Sequence, residues 1–153
     1  MDIRRYCAKA RSLPESNVLY GLRTVSNEQE PLHRCPNWKK DVVDVKRVND
    51  QIISNKFVGE GGTFHVISVY APQGGSNEQH KIRFWEDLES LVQDIPSRDK
   101  IFVGRDLNGH AGREVIGYES IHGGHGFGVV NTEGKIILDF FSIFDLLIAN
   151  TSF

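Results

Sequence analysis

Residues 101–112 read IFVGRDLNGHAG, and the reading of this stretch decides the fold. A short, continuously apolar run stops at Gly104, as a buried strand between turn signals does. Asp106 and Asn108 follow, two residues apart, before two further glycines. If the chain stays extended past Gly104, both side chains face the same side. A carboxylate and an amide would then converge at the mouth of a sheet, where open α/β sheets hold their ligands. A carboxylate there orients or deprotonates water, and an Asn amide donates to a phosphate oxygen. The competing reading is an Asx turn, in which both side chains satisfy nearby backbone. The local stretch does not choose between the two.

The flanking chain supplies the context. Upstream, VVDVKRV (42–48) and QIISNKFV (51–58) are rich in β-branched residues and separated by the turn pair Asn49-Asp50. GEGG (59–62) is a second turn, and TFHVISVYAP (63–72) a third strand closed by Pro72. Three short runs joined by tight turns predict an antiparallel meander. The period then changes. Trp85, Leu88, Val92 and Ile95 fall at helical spacing, Ser76 with Gln79 forms a candidate capping box, and Pro96 ends the helix. Downstream, residues 113–130 read as loop. EGKIILDFFSIFDLLIANT begins as a helix and ends in a buried strand, LLIAN. The order of strands and helices predicts a mixed α/β domain with helices packed on sheets. Residues 1–40 mix turn formers, charges and prolines without a sustained period and are expected to be irregular.

Composition narrows the function classes. The chain has 153 residues, enough for one domain, with 39% hydrophobic and 25% charged residues, a globular balance. A net charge of −2 gives no signature of a nucleic-acid coat protein. Two isolated cysteines, Cys7 and Cys35, fit a reduced intracellular setting, nuclear or cytoplasmic. No apolar run reaches the roughly 20 residues of a membrane span, so no membrane partner is expected.

Several motifs fail on spacing. DLNGHA opens like a calcium loop, but His110 holds the fifth position and Gly117, not Glu, the twelfth. HGGHGFG (122–128) has neither G-x-G-x-x-G spacing nor a P-loop Lys. His122 and His125 are too few ligands for a metal site. SVYAPQ is more informative. Tyr70 and Gln73 sit where a strand ends, and a hydroxyl and an amide there can reach a phosphate.

Together, FHVISVYAPQ, the helical FWEDLESLV, IFVGRDLNGHAG and HGFGVVNTEGKIILDFFSIFDLLIANTSF resemble the endonuclease/exonuclease/phosphatase superfamily. The resemblance covers about residues 41–153 and is nearest to the apurinic-endonuclease-like domains of RTE-type non-LTR retrotransposons. It implies an α/β (α+β) fold, part of a four-layer two-sheet sandwich with flanking helices. It also implies Mg²⁺-dependent phosphodiester hydrolysis on DNA. By the same resemblance Asp106 positions and activates water, Asn108 holds the scissile phosphate and Tyr70 supports it. Gln73 and Asn131 are expected to contact the substrate. A metal-binding Glu should precede the meander and a catalytic His should follow the last strand. Residues 1–40 offer no match for the first, and NEQEP assigns neither Glu28 nor Glu30. His65, His80, His110, His122 and His125 stand in the wrong places for the second. The expectation is therefore a domain truncated at both ends. It would be impaired or inactive, or else a non-catalytic remnant or protein-interaction module. Phe140, Phe141, Phe144 and LLIAN would be left short of packing partners. Arg105 replaces the family's usual Gly, which points to relaxed constraint or to a phosphate contact, at a backbone cost of roughly 1 kcal/mol.

Overall fold

The computed structural model describes residues 17–19 and 41–152. A four-stranded sheet, its strands side by side in chain order, forms the body of the molecule. It comprises β2 (Val42–Arg47), β3 (Ile52–Gly59), β4 (Gly62–Tyr70) and β5 (Lys100–Asp106). The first three strands form the antiparallel meander read from the sequence. A two-residue connection joins β3 to β4, with Gly59 paired to Gly62. Gly62 takes φ +101°, a conformation open to glycine. Asn49 closes the β2–β3 turn by accepting from the Gln51 N–H at 2.8 Å.

β5 pairs with β4 in parallel. A parallel neighbour needs a crossover, and α1 (Glu78–Gln93) provides it. Its N-cap is Asn77, whose side chain accepts from the Gln79 N–H. This corrects the expected Ser76–Gln79 box by one residue. Both residues are cap formers, and the one standing directly before the first helical turn takes the role. The buried stripe of α1 is Phe84, Leu88, Leu91 and Val92, with Trp85 at its edge. It packs over Ile52, Ile67, Val69, Ile101 and Val103 of the sheet. On the same face, at the end of β4 away from Tyr70, His65 is buried and bonded to Asp99 at 3.2 Å.

α2 (Thr132–Ile143) adds Ile137, Leu138, Phe140 and Phe141 to this core. The expectation that its aromatic residues lack partners is overturned. Phe141 is fully buried, and Phe140 packs against Trp85, Phe141 and Phe144 with ring centroids 4.8–5.7 Å apart. Trp85, a member of the expected stripe, is partly buried and joins the two helices through its contact with Phe140. The LLIAN strand is also housed. β6 (Leu146–Ile148) buries Leu146 and Ile148 and runs into a 3₁₀ turn at Ala149–Thr151.

β6 forms a second, two-stranded parallel sheet with β1 (Asn17–Leu19). These three residues are extended, within a segment where the sequence showed no period. The rest of residues 1–40, including Cys7, Cys35, Glu28 and Glu30, lies outside the described residues. No described helix is long and apolar enough to cross a membrane.

Candidate functional site

The site is built where β4 and β5 end together. Parallel register sets Tyr70 opposite Asp106, and the Ala71 N–H extends the ladder to the Asp106 carbonyl at 2.8 Å. The sheet pairing therefore brings Asp106 beside the YAP turn without any side-chain contact being needed. β5 stops at Asp106, so the chain does not stay extended through Asn108 as the alternation argument required. Asp106 Oδ1 accepts from the Asn108 N–H at 2.9 Å, and Asn108 turns left-handed at φ +50°. This is the Asx turn, whose side-chain bond competes with continuation of the strand. Asn108 Nδ2 then donates to the Ala71 carbonyl at 2.6 Å, tying the two strand exits together. One oxygen of Asp106 is thus held by the turn. A carboxylate has about four acceptor positions, which leaves capacity for a ligand.

Arg105 carries a non-glycine side chain at φ +114°. Its guanidinium carbon lies 5.9 Å from the centroid of the Tyr70 ring. A cleft of about 560 Å³ opens beyond the strand ends. Arg105, Asp106, Asn108, His110, His125 and Phe127 line it, over a floor that includes Ile137 and Ile148. Asp106 is the one carboxylate in that lining among the described residues. His110 and His125, set aside on sequence position, are brought into the same cleft as Asp106. Spatial convergence of loops 101–112 and 122–128 is not a pattern that linear spacing carries.

The other expected site residues lie elsewhere. Tyr70 is 43% exposed, next to the cleft rather than in its lining, and Gln73 is exposed on the turn after β4. Asn131 is the N-cap of α2. Its Oδ1 accepts from the N–H groups of Gly134 (2.7 Å) and His110 (2.9 Å), and its own N–H donates to the His110 carbonyl at 3.1 Å. Asn131 therefore fixes the segment that leaves the Asx turn onto the start of α2. Lys81 ties the start of α2 to the turn after β4. It donates to the Gly74 carbonyl at 2.6 Å and pairs with Glu133 at 3.3 Å. The Glu133 carboxyl is held below its usual range, first by its own backbone N–H and then by Lys81.

The glycine-rich loop is packed backbone to backbone. A Cβ on Gly126 would run into the Gly112 carbonyl, and one on Gly134 into the His110 carbonyl. The loop is also hydrogen-bonded to the 3₁₀ turn, with the His125 N–H on the Thr151 carbonyl at 2.9 Å. Behind Gly126 sits the buried ring of His122, whose Nδ1 accepts from the Gly124 N–H. Its Nε2 has no hydrogen-bond partner among the described residues. No group of three or more His, Cys, Asp or Glu converges to hold a metal ion among the described residues.

No family model matches the chain, and no solved structure matches it. Two relatives do. Over 105 residues, 69% of this chain, it is 37% identical to craniofacial development protein 2 of Tragulus javanicus. It is 36% identical over 105 residues to the protein of the same name from Bos taurus. The matched stretch makes up 18% and 17% of those two proteins, so this chain is similar to a short part of each.

Proposed function

We propose that the cleft beyond β4 and β5 is the phosphodiester site of a DNA endonuclease-type domain, with its hydrolysis weakened in this chain. The proposal places the domain in the endonuclease/exonuclease/phosphatase superfamily, in its retrotransposon-derived branch. The observation that carries it is the cleft itself. One exposed carboxylate, Asp106, stands at the end of paired parallel strands, among the cationic or hydrogen-bonding groups of Arg105, Asn108, His110 and His125. Such a set suits a phosphate ester approached by water. Arg and His donors take the non-bridging oxygens, and the carboxylate orients the attacking water and accepts its proton. The Asx turn fixes the direction of Asp106, and Asn131 and Lys81 hold the start of α2 to the neighbouring segments.

The superfamily's magnesium ion does not fit the described residues by themselves. Asp106 is the single carboxylate of the cleft and belongs to no group of three or more His, Cys, Asp or Glu able to hold a metal ion among the described residues, and no step is assigned to a metal. Weakened hydrolysis is further supported by the engagement of both Asp106 and Asn108 with backbone. That engagement also favours a second reading, a non-catalytic remnant that binds without turnover. A plasmid-nicking assay in Mg²⁺ separates the two. The expected result is slow nicking that Asp106→Ala lowers by roughly 100-fold, the range general-base removal gives. Equal nicking by both proteins ends the hydrolytic reading. Saturable binding with no nicking at all favours the remnant.

A further inference from the structure

Phe127 is the least expected residue in the cleft lining. It is 84% exposed, although Gly126 beside it approaches the Gly112 backbone closely. Scattered exposed apolar residues are normal on a protein surface. Phe127 differs in two respects. Its backbone is anchored on both sides, by the His125 N–H on Thr151 and by the Gly128 carbonyl, which accepts from the Arg113 N–H at 3.2 Å. Gly126, just before it, is wedged against Gly112. The ring is thus held in water by a fixed loop. It also shares one cleft with Arg105, His110 and His125.

We infer that Phe127 is a stacking platform for an unpaired nucleobase of a DNA strand whose phosphate lies against Arg105, His110 and His125. The inference rests on the phosphodiester reading of the same cleft and adds the form of the substrate. A flat apolar ring next to cationic donors matches the alternation of base and phosphate along a single strand. In a paired duplex the faces of the bases are covered by their neighbours, so an anchored ring at the cleft favours single-stranded or locally unpaired DNA. A protein partner would bury Phe127 by general apolar contact, for which Leu serves nearly as well. Stacking requires the aromatic face.

The test is binding of the full chain, without Mg²⁺, to an oligonucleotide carrying 2-aminopurine, as a single strand and as a duplex. The wild type is expected to prefer the single strand and to change the probe's fluorescence on binding. Phe127→Ala and Phe127→Leu are both expected to weaken single-strand binding by roughly 5- to 100-fold, the effect of losing one aromatic–base stack. Phe127→Trp should retain it. Because the side chain is exposed, these variants keep the fold, which circular dichroism checks. Unchanged affinity in Phe127→Ala, or full affinity in Phe127→Leu, overturns the inference. If that happens while nicking still depends on Asp106, the phosphodiester reading survives alone. If neither oligonucleotide binds, both readings fall.

Discussion

Arg105 occupies a backbone position that L side chains rarely take. At φ +114° its Cβ is strained, and a residue so placed costs on the order of 1–3 kcal/mol. What it gains is its position over the Tyr70 ring, worth about 0.5–1 kcal/mol at an exposed site. Arg105→Gly is therefore expected to stabilise the fold by about 1 kcal/mol, read as a higher urea midpoint at unchanged slope. A lower midpoint would mean that the ring contact outweighs the strain. The departure from glycine was visible in the sequence, but its physical content, a positive φ at the last-but-one residue of β5, was not. Asp106 was legible as a strand-end carboxylate. The direction of Asn108 was open between an extended chain and an Asx turn, and the Asp106 side chain makes it the turn, because two-residue alternation holds only while the strand lasts. Asn131 shows the same limit. Its neighbours NTEG mark a helix start as much as a ligand contact, and its bonds to His110 join residues 21 apart.

At the scale of elements, β-branched runs and glycine turns located every strand of the main sheet and its meander order. Helical spacing located α1 and α2. Mutual packing was the part the sequence did not carry, since Trp85 meets Phe140 only once the crossover has been made. The glycine-rich loop was rejected as a nucleotide motif on spacing. The contacts that account for Gly112, Gly126 and Gly134 involve backbone atoms in distant segments. Gly126→Ala should therefore destabilise the protein by roughly 1–3 kcal/mol, as overpacking does. Gly61→Ala, where a Cβ meets nothing, should fall within about 0.5 kcal/mol of wild type. Urea denaturation of the two variants side by side checks this. Equal midpoints would show that the loop yields without cost.

For the molecule as a whole, two groups near the surface, Tyr118 and Glu133, each make a part of stability depend on pH. Tyr118 donates to Asp139 on α2, and this bond, then burial and the carboxylate's charge, holds its phenol above its ordinary 10.0. The folded state binds that proton more tightly. The contribution is complete below pH 10 and lost as pH rises through the higher folded value. Glu133 behaves in the opposite sense. Its lowered carboxyl stabilises the fold above about 4.5 and ceases to as pH falls through the folded value. Tyr118→Phe is expected to flatten the alkaline limb of a stability–pH curve, and Glu133→Gln the acid limb. Curves that superimpose on wild type would refute both assignments. Neither contact is readable from local sequence, because its partners lie 21 and 52 residues apart.

The pairing of β1 with β6 has a temporal consequence. Leu19 leaves the ribosome long before Ile148, its register partner. At a synthesis rate of about 5–20 residues per second, β1 waits on the order of ten seconds for a strand to pair with. Until then its N–H and C=O groups are an open edge, and a neighbouring nascent chain offers the same sequence in the same state. On a crowded polysome, the first described strand of this chain is exposed to exchange between molecules before it can close within one.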